Sequence, residues 1–292
     1  MKYRFISQRR DYPVAKWARF LKVSRSGYYT WFKCHERREE KLATYVTLIR
    51  SVFEEGEGTY GAERISGVMR RRGHKASFGK VAACMNREGL RSIHNRRGRR
   101  SLTDSRKSRG EGYANLTAET DVSRPFQIIS SDISYIRTGE GFEYLCHVKD
   151  VKSGTVLGYS MSDRMKSGLV EQAIRRAVEC WEIPAGCIFH SDRGSQYTSA
   201  VVGELLSRNG IRQSFSRVGK PGDNAWSESF FANLKKESVH WVHFKTRAEA
   251  RQAMFEYIEG FYNTRRVQKR LGYLSPMGWL ENGYRENSIM VA

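Results

Sequence analysis

From residue 126 the apolar residues of this 292-residue chain stop recurring at helical intervals and gather into short β-rich runs. That change of period restricts the C-terminal half to a mixed α/β architecture. Phe126 to Ile136, Phe142 to Val148 and Thr155 to Met161 read as three strands. Thr138-Gly139-Glu140-Gly141 and Lys152-Ser153-Gly154 supply the turns, so the three predict a meander. A helix follows from about Ser167 to Trp181, with Leu169, Val170, Ala173, Ile174, Ala177 and Val178 inward. Cys187 to His190 is a short buried strand. Thr198 or Ser199 opens a helix carrying Val201, Val202, Leu205 and Leu206, ended by Gly210. Ile211 to Ser216 is a fifth strand, and the glycine-rich loop Arg217 to Asp223 leads into a helix with Trp226, Phe230, Phe231 and Leu234.

The N-terminal part is of another kind. Val14, Trp17, Ala18 and Leu21 lie on one helical face, and Ser24 is a candidate N-cap for a second helix reaching Phe32. Helix, turn and helix, with Arg25, Tyr29 and Lys33 outward, is the pattern of a helix-turn-helix. A second unit of three helices follows: about 39 to 54, one carrying Ile65, Val68 and Met69 with Gly73 after it, and one capped by Ser77 that stops at Gly89. Its last helix offers Lys80 and Arg87 to a groove or a phosphate.

Charge separates the two parts. Lys and Arg exceed Asp and Glu by 20 overall. Residues 1–112 hold 28 basic against 11 acidic side chains, a net of +17, and residues 113–292 hold 23 against 20, a net of +3. A polycation attached to a near-neutral body is the electrostatic footprint of nucleic-acid binding. From Arg91 to Gly112 eight Lys and Arg, among them Arg96, Arg97, Arg99 and Arg100, accompany two acids and little apolar content. That composition reads as a solvated tether suited to tracking a phosphate backbone. The domain boundaries expected are 1–36 for a helix-turn-helix segment, 37–90 for a second helical DNA-binding domain and 91–120 for a basic linker. They continue with 121–240 for the catalytic core and 241–292 for a C-terminal helical extension.

Three acids stand at telling places in this order: Asp132 on the first strand, Asp192 just past the fourth, and Glu228 on the last helix. The order βββαβαβα with acids so placed resembles the ribonuclease H-like fold, in which strands one and four are neighbours. The expected class is therefore α/β, a mixed five-stranded sheet with flanking helices, preceded by all-α helix-turn-helix domains. The local strings carry the resemblance further. Ser191-Asp192-Arg193-Gly194-Ser195-Gln196-Tyr197, then Asp223-Asn224-Ala225-Trp226-Ser227-Glu228-Ser229, then Asn263, Arg266, Leu271-Gly272-Tyr273 and Pro276, are similar to bacterial insertion-sequence transposases. The family resembled is encoded in two overlapping reading frames and has a retroviral-integrase-like core; this chain looks like its B-frame product. It departs from the family pattern at Ser131 and Ser134 around the first acid, and at Gln268, where a His is usual.

The resemblance implies a chemistry. Phosphoryl transfer on DNA needs an activated nucleophile and stabilisation of the leaving oxygen, and two Mg²⁺ ions about 3.5–4 Å apart supply both. Mg²⁺ takes a few carboxylates plus water and phosphate oxygens, which accounts for three acids rather than a full cage. Asp132 would bridge both ions, with Asp192 on one and Glu228 on the other; Mn²⁺ is the substitute ion. Lys235 and Asn224, seven residues after and four before Glu228, share its helix face and are expected to contact DNA. His190 and Gln196, flanking Asp192, are expected to orient it or a phosphate. The implied partners are double-stranded terminal inverted repeats and target DNA, a homodimer or larger synaptic assembly, and an A-frame partner or fusion. A catalytically silent DNA-binding regulator and a ribonuclease H-like nuclease share parts of this pattern and remain alternatives.

Other classes find little support. The pair His240 and His243 is not accompanied by cysteines at finger-like spacing, so no zinc site is expected. Five cysteines without a C-x-x-C pair read as reduced thiols. No apolar run reaches membrane-spanning length, and Met1-Lys2-Tyr3-Arg4-Phe5 leads into charge, which predicts a soluble, cytoplasmic, nucleoid-associated protein.

Overall fold

The computed structural model describes residues 2–9, 11–95, 114–118, 120–217 and 221–282. The N-terminal helices are α1 (Lys2–Gln8), α2 (Val14–Phe20), α3 (Arg25–Glu55), α4 (Ala62–Arg71) and α5 (Phe78–Arg87). Ser24 caps α3 by accepting a hydrogen bond from the Gly27 amide at 3.1 Å. The helix then runs 31 residues, about 46 Å at 1.5 Å per residue. This corrects the separate helices expected on either side of residue 36, since that boundary falls inside α3. The reason is local. Residues 33–44 contain no Gly or Pro, are rich in Glu, Arg and Lys, and include an i,i+4 pair of His35 and Glu39 at 3.2 Å. Residues 36–41 are exposed on every side, so this stretch is a solvated rod between two packed ends.

At one end of the rod Tyr28 packs among Tyr3, Trp31 and Phe32. At the other, Val46, Ile49 and Val52 meet Ile65, Met69, Val81 and Met85 in a buried three-helix core. The helix stops where Glu57 and Gly58 take positive φ and the Gly58 amide reaches back to the Phe53 carbonyl.

Five strands follow: β1 (Ile128–Thr138), β2 (Gly141–Asp150), β3 (Val156–Ser162), β4 (Ile188–Ser191) and β5 (Arg212–Phe215), in the spatial order β3-β2-β1-β4-β5. β1, β2 and β3 pair antiparallel, and β4 and β5 join parallel to β1. Helices α6 (Ser167–Cys180) and α7 (Ala200–Arg208) cover one face through Leu169, Val170, Ile174, Val202 and Leu206. Gly158 makes the closest approach there, because a Cβ would lie 2.5 Å from the Ala173 carbonyl oxygen. The other face receives α8 (Ala225–Leu234), α9 (Arg247–Phe255) and the π-helical turns Lys235–Val239 and Glu256–Tyr262. Phe230, Phe231, Leu234, Ile258 and Phe261 fill this second core, which is continuous with that of α3–α5. The protein thus has the mixed five-stranded sheet and flanking helices of ribonuclease H-like cores, with the helices α1–α5 ahead of it.

The C-terminal segment clamps the two parts together. The Tyr60 hydroxyl donates to the Arg265 carbonyl at 2.7 Å and accepts from the Val267 amide at 2.9 Å. Tyr273 lies over Gly67 of α4, where a Cβ would come within 2.2 Å of its ring. Asn263 binds the sheet twice: its side-chain oxygen accepts from the Val156 amide at 2.9 Å and its amide donates to the Val156 carbonyl at 3.0 Å. It therefore acts as a surrogate strand on the edge of β3. Asn263→Ala would strand both buried backbone groups and cost roughly 2–4 kcal/mol, read as a lower urea midpoint with an unchanged m-value.

Candidate active site

The register of two parallel strands builds the site. Ser130 of β1 lies opposite His190 of β4, so Asp132 and Asp192 each stand two residues further on, at the same carboxyl-terminal end of neighbouring strands. Crevices beyond the carboxyl ends of parallel strands are where open α/β sheets bind ligands. Helix α8 crosses this end and carries Glu228 in its first turn.

Asp132 is the floor of the arrangement. It is half-buried, and burial pushes its carboxyl up to about 7, with the Asp192 charge second. The Ile133 amide, 2.8 Å from Oδ1, opposes that rise; Glu228 adds to it and Lys235 opposes it. Asp132 is therefore the group on which the other two acids and Lys235 act. Asp192 is exposed at its outer side, is raised by burial of the rest, and accepts a hydrogen bond from the Gly194 amide at 3.0 Å. Glu228 is exposed.

The donor set is made of hard carboxylate oxygens and fits a divalent cation of the Mg²⁺ type. A cation is also the partner that would relieve the repulsion raising Asp132. The arrangement is open rather than closed: among the described residues no three His, Cys, Asp or Glu side chains converge tightly enough to hold a metal ion.

Beneath the acids lies a polar layer that holds the strand ends. The hydroxyls of Ser131 and Tyr197 share a hydrogen bond at 3.0 Å, with the Cys146 sulfur 3.5 Å from Ser131 Oγ. Tyr197 is fully buried, and burial drives its phenol up, so it serves as a neutral strut. Lys149 of β2, also buried, donates to the Trp226 carbonyl, two residues ahead of Glu228. Burial, followed by the Arg270 charge, lowers its ammonium to about 7. Asp223 anchors the loop before α8: it accepts from Arg217 Nε and the Asn115 side-chain amide, both at 3.0 Å. The Arg217 bonds hold its carboxyl far below the usual range. Sequence reasoning did not single out Tyr197, Lys149 or Asp223. Tyr197 and Asp223 lie inside the quoted motif strings, which was their only signal.

Several expected site residues are placed differently. His190 is fully buried with Nδ1 3.0 Å from Ser214 Oγ and Nε2 3.1 Å from Ser216 Oγ. Both ring nitrogens are taken by β5 and its end, so His190 braces β4 against β5 instead of orienting Asp192 directly. Gln196 donates to the Met165 carbonyl at 3.2 Å, tying the Asp192 loop to the segment before α6. Asn224 occupies the N-cap position of α8 but is buried, its amide donating to the Ser131 carbonyl at 3.1 Å, which removes it from a DNA-facing surface.

Lys235 stands at the rim beside Asp132, with Nζ 5.3 Å from the Tyr135 ring centre. Burial lowers its ammonium, and Asp132 opposes the change. Arg25, Tyr29 and Lys33 are exposed on the first turns of α3. Lys80 and Arg87 are exposed on α5, the former 4.1 Å from the Tyr45 ring centre and the latter paired with Glu88 at 3.1 Å. Arg96, Arg97, Arg99 and Arg100 lie outside the described residues. No helix among the described residues is long and apolar enough to cross a membrane.

Comparison with known proteins agrees with this anatomy. The family described as integrase core domain matches residues 122–221, a second integrase core domain family matches 228–287, and an HTH-like domain family matches 37–98. The chain is 36% identical over 282 residues to transposase InsF for insertion sequence IS3A of Escherichia coli (strain K12), covering 94% of this chain and 97% of that protein. It is 38% identical over 229 residues to the transposase for insertion sequence element IS904 of Lactococcus lactis subsp. lactis (strain IL1403), covering 78% and 90%. Among solved structures, the catalytic core domain of BIV integrase covers 55% of this chain and 98% of its own at 16% identity, with a TM-score of 0.40.

The raised Asp132 carboxyl predicts a pH signature. Below the ordinary carboxylate range both folded and unfolded chains hold this proton. Between there and about 7 only the folded chain does, so stability falls as pH rises and the penalty is complete above 7. Without divalent cation, Asp132→Asn is expected to stabilise the protein at pH 8 by on the order of 2 kcal/mol and to have little effect near pH 4, measured by urea unfolding at both pH values.

Proposed function

Since this chain belongs to the insertion-sequence transposases that include InsF, we propose that it acts on the terminal inverted repeats of its element through Asp132, Asp192 and Glu228. The family and its integrase core make it a DNA transposase, an enzyme of the polynucleotidyl transferase type. The observation that supports the site assignment is the parallel register of β1 and β4, which sets Asp132 and Asp192 at one end of the sheet, with Glu228 of α8 acting on Asp132.

The reaction has two steps of one kind. Water attacks the phosphodiester at the element end, the bond from phosphorus to the 3′ oxygen breaks, and a 3′-OH is freed on the element. That hydroxyl then attacks a second phosphodiester, forming a new phosphodiester and releasing another 3′ oxygen. Mg²⁺, or Mn²⁺ in its place, held by the three carboxylates would lower the proton affinity of the nucleophile and offset charge on the leaving oxygen. The protein's own residues do the rest. The Ile133 and Gly194 amides hold Asp132 and Asp192 in orientation. Lys235 places a positive charge at the rim, where the terminal phosphate would sit.

The helical domain and the basic run supply the grip. Arg25, Tyr29 and Lys33 on α3 and Lys80 and Arg87 on α5 would face duplex DNA, and Arg96, Arg97, Arg99 and Arg100 would neutralise backbone phosphates. Both element ends must be held during end joining, so the working form is a homodimer or larger synaptic assembly, with an A-frame protein as partner or fusion. The domain limits proposed are those of the sequence reading, with α3 running unbroken through the first of them.

The test is strand transfer on labelled terminal-repeat DNA with Mg²⁺. Wild type, alone or fused to the A-frame product, is expected to give joined-end product. Glu228→Gln is expected to bind the same DNA with similar affinity and to lose roughly three orders of magnitude in rate, the equivalent of about 4 kcal/mol of charge stabilisation. Tight binding without any Mg²⁺-dependent product from either form of the wild type would sink the reading. Nicked product without joining would favour a nuclease.

A further inference from the structure

Away from the acidic site, one buried anion gathers the three parts of the chain. Glu237 lies in the π-helical turn Lys235–Val239 that continues α8, nine residues after Glu228 and two after Lys235. Its side chain is 1% exposed. Arg266 donates to it twice, Nε to Oε2 and a terminal guanidinium nitrogen to Oε1, both at 2.7 Å. Tyr257 donates its hydroxyl to Oε2 at 2.8 Å, and His94 Nε2 reaches Oε1 at 2.5 Å. Arg64 of α4 senses the same cluster, since its guanidinium is influenced by Arg266 and Glu237. Burial alone would raise the Glu237 carboxyl; the bonds from His94 and Arg266 bring it down to about 2.

Each participant comes from a different place. His94 follows α5 and lies two residues ahead of Arg96, where the densest part of the basic run begins. Tyr257 and Arg266 belong to the C-terminal segment that also grips Tyr60. Glu237 belongs to the element that carries Glu228 and Lys235. Residues two apart on a helical turn point to roughly opposite sides. Glu237 therefore faces the network while Lys235 faces Asp132, and a rotation of this turn that frees Glu237 withdraws Lys235 from the site.

We propose that Glu237 is a positioning residue, and that His94 is the link through which the N-terminal helical half sets the position of Lys235 and of α8. The inference rests on the proposed roles of Lys235 and Glu228.

The experiment uses the full chain. His94→Ala removes one of four bonds to Glu237 and leaves the Arg266 pair, so it should fold even if Glu237→Gln does not. Expected for His94→Ala are terminal-repeat affinity within about threefold of wild type, a strand-transfer rate lower by at least about tenfold, and faster hydrogen exchange at residues 225–239 in DNA-free protein with residues 167–180 unchanged. His94→Gln, whose amide can still donate to Glu237, is expected to return the rate to within about threefold. Unchanged exchange at 225–239 would overturn the link, as would a His94→Gln variant no better than His94→Ala, or a rate loss matched by an equal loss of DNA affinity. If the wild type makes no product, the proposed reaction is at fault, and the exchange comparison still decides this inference.

Discussion

Two like charges forced to neighbouring strand ends govern this structure. The parallel pairing of β1 with β4 leaves Asp132 and Asp192 no choice of distance, because both project from the same end of the sheet two residues past a common register. Burial then denies Asp132 the solvent that would stabilise its charge. A sheet shaped for stability alone would not keep this pair. A positive charge relieves such a pair, and Lys235 at the rim acts on Asp132 in that sense.

The surroundings of the pair are built to hold the strand ends while leaving the acids free. Tyr197, Ser131 and Cys146 fill the space under Asp132 with neutral groups that bond to each other. Lys149 and Asn224 fasten the start of α8 to the sheet through backbone carbonyls. None of these contacts uses a carboxylate oxygen of Asp132, Asp192 or Glu228. The oxygens bonded by the protein are each held by one backbone amide, which fixes direction without satisfying the acid.

Much of the sheet was legible because strand alternation and glycine turns are local signals. The three-strand meander, the short fourth and fifth strands and the helix after the glycine-rich loop all lie within a few residues of their expected limits. The continuous α3 was missed because a change of partner was mistaken for a change of structure: its apolar face disappears between residues 33 and 44, while its helix-forming residues do not. The roles of His190 and Asn224 were misjudged for a related reason. Nearness to an acid in sequence says nothing of which way a side chain faces across a strand or beneath a helix. His190 is buried within β4 and meets Ser214 and Ser216, 24 and 26 residues away, whereas Asp192 lies past the end of the strand. Glu237 and His94 are 143 residues apart, and no periodicity connects them.

The seat of α8 combines bonded and unbonded polar groups, and that bears on how Glu228 is presented. Ser227 Oγ, Asn224 Oδ1 and Ser130 Oγ are buried between the first turn of α8 and the sheet and find no protein partner among the described residues. Unsatisfied buried polar groups cost about 1–3 kcal/mol each, so this contact binds less tightly than the apolar one formed by Phe230, Phe231 and Leu234 further along the same helix. The two ends of the helix are thus held by different means: the far end by that core and by the Glu237 network, and the end that carries Glu228 by the Lys149 and Asn224 bonds to backbone carbonyls and by the Asp223 anchor ahead of it. Directional bonds fix where the first turn of α8 lies against the ends of β1 and β4, and they leave the Glu228 side chain itself exposed beside Asp132 and Asp192.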